Sequence, residues 1–132
     1  MLKEIKIKDP MYQSSISYLV GGSEADLYKF LRRRHGKGVK LCNKEASEVE
    51  AMREPDSAST DGMQFHVNEE EEYFYVWVQR KDIGLVFHET MHLAFDVLSC
   101  RGIEYADECE DAFCYWGAAV YAEAHRKIFN SR

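Results

Sequence analysis

Five consecutive residues hold most of the chemistry this chain offers: His88, Glu89, Thr90, Met91 and His92. They read H-E-x-x-H. On a helix, residues i and i+4 lie one turn apart on the same face, so both imidazoles reach one metal ion. Glu89 sits beside His88, where its carboxylate meets a water rather than the metal, which is the position of a general base. Chance alone puts this pattern in a chain of this length on the order of once in several hundred proteins. The context therefore decides. Ile83, Val86, Phe87, Met91, Leu93, Ala94, Val97 and Leu98 make the segment apolar almost all round, the mark of a buried helix. Histidines and a carboxylate on such a helix need partners. The plain alternative is two core histidines with ordinary hydrogen bonds and an exposed Glu89.

A catalytic zinc takes a third protein ligand and keeps one position open. No histidine follows at the spacing H-E-x-x-H-x-x-G-x-x-H, because position 98 is Leu98. The next helix offers Asp107, Glu108, Glu110 and Asp111 ahead of its apolar run. Asp111 is the expected third ligand and Glu110 the runner-up. Aspartate is one methylene shorter than glutamate, so the two helices must approach closely. Gly117, Ala118, Ala119 and Ala122 are compatible with that. Asp96, four residues after His92, is a candidate to hold a histidine's second ring nitrogen, and a solvated aspartate is the plain reading. Tyr115, four residues after Asp111, is a candidate to stabilise an oxyanion; a core tyrosine is the plain reading. His125 lies roughly 21 Å along the helix from Asp111, too far to share its metal. His35 and His66 belong to no motif and read as surface or loop histidines. Cys109 and Cys114 flank the ligand segment as alternative soft ligands.

The elements that must position these groups fit one domain over residues 1–132. The chain has 132 residues, 45% of them hydrophobic and 30% charged, as in ordinary globular proteins. Its net charge of -6 argues against nucleic-acid binding, which requires a basic surface. No apolar run approaches the roughly 20 residues that span a bilayer. Residues 1–9 alternate Lys or Glu with Ile, unlike a signal peptide. No two of the four cysteines have C-x-x-C spacing, so reduced, mostly buried thiols in the cytoplasm are expected.

Residues 3–8 and 14–20 read as strands, the second closed by Gly21-Gly22. Ser23, with Asp26 three residues on, caps a helix to about Arg34. The basic cluster at residues 32–35 falls in its last turn, where positive charge is favourable. Residues 43–62 read as a long loop, with a helical turn near 46–52. Residues 63–67 and 73–79 form a candidate hairpin around the carboxylates at 69–72. Asp82 caps the helix that carries the motif, and Gly102 ends it. Asp107 is the expected cap of a final helix to about Phe129.

Residues 73–120 resemble the zincin metallopeptidases of the gluzincin type in a minimal form. The similarity is closest to small zincin-like proteins encoded in phage and prophage genomes. It rests on the aromatic strand at 73–78, on the run from Asp82 to His92, and on Glu110-Asp111-Ala112-Phe113-Cys114-Tyr115. The gluzincin third ligand is a glutamate opening E-x-x-A or E-x-F-A; Asp111-Ala112-Phe113-Cys114 aligns with it, with Asp for Glu and Cys for Ala. The resemblance implies an α+β, zincin-like domain: a small twisted mixed sheet on the active-site helix, then a C-terminal helix. It implies that the strand before the motif (Tyr73, Phe74, Tyr75, Val76, Trp77 and Val78) is the sheet edge and takes extended substrate by strand addition. The implied activity is zinc-dependent hydrolysis of a peptide or protein substrate, in the host cytoplasm for a phage product. The rival reading is a catalytically inactive binding protein on the same scaffold, with a structural or vestigial metal.

Overall fold

Alternation of charged and apolar residues produces the first strand, while the second is buried along nearly its whole length. β1 (Lys3–Lys8) and β2 (Ser15–Val20) run antiparallel, with Ile5 and Ile7 of β1 turned to the core. The structure is a computed structural model that describes residues 2–42, 61–68, 72–103 and 109–130. β3 (Leu41–Cys42), β4 (Gly62–Asn68) and β5 (Glu72–Val78) complete a five-stranded sheet of order β1-β2-β5-β4-β3. Only the β2–β5 pair is parallel, so the sheet is mixed and the fold is α+β. Of the loop expected at 43–62, residues 43–60 with the helical turn lie outside the described residues, as do residues 69–71 of the tip and the cap at Asp107; Gly62 opens β4 and Glu72 opens β5 instead.

Three helices cover this sheet among the described residues: α1 (Glu24–His35), α2 (Ile83–Cys100) and α3 (Glu110–Phe129). The sheet buries both faces. Tyr18, Phe74 and Val76 meet Leu93 and Val97 of α2 and Trp116 of α3 on one side. Leu19, Phe65, Tyr75 and Trp77 meet Leu27 and Leu31 of α1 on the other. A strand buried on both faces has no polar face to show, which explains the unbroken apolar run of β5.

That run was expected at the sheet edge, and the structure corrects this. β5 is paired along its whole length with β2 on one side and β4 on the other, so its backbone has no edge left for a substrate strand. A fully apolar strand is stable only where both faces are covered, and the centre of a sheet is that place.

Local signals set the helix ends. Ser23 and Asp26 form the reciprocal capping box of α1. Asp82 accepts from the Leu85 N–H at 2.9 Å and starts α2. The amides of Gly102 and Ile103 return to the carbonyls of Ser99 and Leu98, and Gly102 has φ +81°, a Schellman end that favours glycine. α3 starts after Cys109, which makes no side-chain cap. Gly117 faces Met91 and Ala94 of α2, where the small-residue segment admits close approach.

Two further expectations are corrected. α2 is not buried all round: Ile83, Phe87 and Phe95 are about half exposed, because one side of the helix faces solvent. All four cysteines are free, yet none is buried; Cys42 and Cys109 are intermediate and Cys100 and Cys114 exposed. They sit at element ends and on outward helix faces rather than in the core. No described helix is long and apolar enough to cross a membrane.

Two buried polar contacts tie the layers. Asp9 accepts from the backbone amides of Met11, Tyr12 and Ser14 and from Trp116 Nε1 of α3. The Tyr18 hydroxyl lies 2.6 Å from Thr90 Oγ1, inside the motif, and Thr90 in turn donates to the Val86 carbonyl. Burial pushes the Tyr18 phenol well above its ordinary pKa, against the opposing effect of the Thr90 bond, and the nearby Glu89 charge adds to the rise. Thr90→Val keeps the shape and strands a buried hydroxyl. Urea denaturation should show it destabilised by about 1–3 kcal/mol, with Tyr18→Phe/Thr90→Val recovering most of the loss.

Candidate metal centre

The motif lies on α2, and the helical repeat turns its residues to two directions. His88 and His92 point outward, His88 exposed and His92 half-buried. Their Nε2 atoms lie 3.1 Å apart, with the rings at 72°. Two nitrogens each 2.0–2.1 Å from one tetrahedral zinc would be about 3.3 Å apart, so the pair fits a shared ion with a small adjustment. The same separation serves as an imidazole–imidazole hydrogen bond when no metal is bound.

Glu89 is 5% exposed and turns toward β4, which corrects the alternative of two core histidines beside an exposed glutamate. The angular step of the helix explains it: 100° past His88, the side chain has left the solvent face and entered the seam between α2 and the sheet. A Cβ added at Gly62 would stand 3.3 Å from Glu89 Cγ, 3.1 Å from the Trp77 carbonyl oxygen and 2.9 Å from Leu85 Cδ1. The absent side chain at Gly62 thus leaves the room that Glu89 fills. Leu85 can rotate away, but the Trp77 carbonyl belongs to the central strand and cannot. Gly62→Ala should therefore cost about 1–3 kcal/mol by overpacking, measurable as a lower urea midpoint.

Asp111 and Glu110 are exposed on the first turn of α3. One group of three donor side chains within 4.8 Å of one another occurs among the described residues, and it is His66, Asp96 and Cys100 rather than the two motif histidines with either carboxylate. Tyr115 is 62% exposed on α3, so it is not a core tyrosine. His125 packs at tilted angles between the rings of Tyr121 and Phe129, far along α3 from Asp111.

Asp96 takes a different place from the one expected. Its carboxylate accepts from Gln64 Nε2 at 2.7 Å and lies 2.9–3.0 Å from His66 Nδ1, so its partners stand on β4. Asp96 follows Glu89 by two helical turns and shares its seam. His66 is therefore no surface or loop histidine: it is largely buried in β4 and ion-paired to Asp96 when protonated. His35 is likewise placed, 2.7 Å from the Tyr75 hydroxyl. Cys100 completes the group, its Sγ 3.8 Å from Asp96 Oδ1. Burial, then the Asp96 and Glu72 charges, push the Cys100 thiol up to about 12. A faint signal for the seam exists in the sequence. Met63, Phe65 and Val67 alternate with Gln64 and His66, which places two polar side chains on the same face of β4.

Comparison of the chain with known protein families, with curated proteins and with solved structures finds no match.

Proposed function

We propose that this chain is a zinc-dependent hydrolase acting on peptide bonds, built on a zincin-like domain. The observation that carries the reading is the convergence of His88 and His92 Nε2 at 3.1 Å beside the buried Glu89. His88 and His92 would hold the ion, with Asp111, or Glu110 in its place, moving in from the start of α3 as the third ligand. When bound, zinc supplies a water of lowered pKa and polarises the scissile carbonyl. Glu89 takes the proton of the attacking water and delivers it to the leaving amine. Tyr115 is free to reach the developing oxyanion from α3, and the exposure of its ring is consistent with that role. Extended substrate does not pair with β5, both of whose edges are taken by β2 and β4.

The alternative is a binding protein with a vestigial site. It draws on one observation: among the described residues, neither Asp111 nor Glu110 forms a group of donors within 4.8 Å with both motif histidines. Zinc content and peptide hydrolysis separate the two. Protein purified without a metal-affinity tag should carry zinc and cleave a mixed peptide pool. His92→Ala should lose one equivalent of zinc and all cleavage. A wild-type chain whose zinc content is the same as that of His92→Ala, even after zinc is offered back, overturns the hydrolase reading. Zinc at this pair without cleavage favours the binding protein.

A further inference from the structure

We propose a second metal site, distinct from the histidine pair, formed by His66 of β4 with Asp96 and Cys100 of α2. Three different donors converge there: an imidazole nitrogen, a carboxylate oxygen and a thiol sulfur, all within 4.8 Å of one another. His66 Nδ1 and Cys100 Sγ both approach the same Asp96 oxygen, Oδ1, at 3.0 and 3.8 Å. Ligands around one tetrahedral zinc stand about 3.3–3.6 Å apart, so both distances lie within a few tenths of an ångström of that arrangement.

The surroundings orient the donors as a metal site requires. Gln64 is 1% exposed and donates to Asp96 Oδ2 at 2.7 Å, which orients the carboxylate; His66 Nδ1 lies 2.9 Å from that oxygen and 3.0 Å from Oδ1, and Cys100 Sγ approaches Oδ1. A hydrogen bond from a buried partner is how proteins commonly hold a carboxylate ligand. The side chains of His66 and Asp96 are 13% and 9% exposed, while Cys100 is open to solvent, so an ion can enter past the thiol. The mixed N, O, S set selects a borderline cation such as Zn²⁺ or Co²⁺ over Mg²⁺ or Ca²⁺. A thiolate and a carboxylate beside a neutral imidazole match the charge of a dication. His66 lies on the sheet and the other two on the helix, so the bound ion clamps α2 to β4. Its role is structural, and it does not depend on the hydrolase reading.

Cobalt titration of the reduced, metal-free full chain tests this. In the His88→Ala/His92→Ala variant, Co²⁺ should saturate at one equivalent with a near-ultraviolet thiolate-to-cobalt band. Adding Cys100→Ser should remove that band. In the otherwise wild-type chain, Cys100→Ser should bind one equivalent less than wild type; Cys100 is exposed, so that variant tests the site without a core change. The same occupancy should raise the thermal midpoint of the double-histidine variant when zinc is added. No thiolate band, or a band that survives Cys100→Ser, overturns the site. The readout is independent of peptide cleavage, so its failure is distinct from failure of the hydrolase reading.

Discussion

Glu89→Gln is expected to keep its zinc and to lose turnover by about a thousandfold, within the range of roughly 10²–10⁴ that a positioned general base contributes. The substitution is isosteric, so the room beside Gly62 stays filled. What is lost is the proton acceptor. His88 and His92 keep their geometry, because both nitrogens are set by the helical repeat and not by Glu89. KM should change little while kcat falls. Glu89 is 5% exposed, and removing a buried charge should leave the thermal midpoint unchanged or raised. That combination separates catalysis from structure: a purely structural Glu89 would lower the midpoint and spare kcat in the folded fraction. Wild-type kcat in Glu89→Gln would exclude this residue as the base.

Asp9→Ala is expected to be the most destabilising single change outside the apolar core, by on the order of 3 kcal/mol. Asp9 is 3% exposed and accepts three backbone amides and the Trp116 indole, closing the β1–β2 turn onto α3. Without it, the buried Trp116 N–H has lost its acceptor. Burial alone would raise the Asp9 pKa, but the hydrogen bonds from Ser14, Met11, Tyr12 and Trp116 outweigh it and hold the carboxyl below its ordinary value. The folded pKa lies below the unfolded one, so the folded state favours the ionised form. Its contribution is complete above the unfolded value near 3.9 and is lost as pH falls through the lower folded value. Urea unfolding of wild type and Asp9→Asn should therefore differ most near about pH 7 and converge toward about pH 2–3. A difference that does not change with pH would place the effect in shape rather than charge.

What the sequence determined is what depends on near neighbours in the chain. The capping box at Ser23 and Asp26, the cap at Asp82 and the stop at Gly102 are all set within a few residues, and the structure bears each out. The convergence of His88 and His92 follows from the same short range, because an i, i+4 pair meets on any α-helix. The strands at 3–8, 63–67 and 73–79 were legible from alternation or β-branched runs to within one residue.

Tertiary structure alone decided what joins distant segments. An apolar strand reads the same at a sheet edge or in its centre, and only pairing with both β2 and β4 put β5 in the middle. His66 and Asp96 stand 30 residues apart, and no local pattern links them. Their meeting follows from the face that α2 turns to β4, which is set by the burial of Val86, Leu93 and Val97. Glu89 went the same way: its place in the sequence marked it as a base, but the seam beside Gly62 determined that it is buried. Side-chain periodicity is encoded along one element, whereas the partner across the seam depends on the order in which strands and helices assemble.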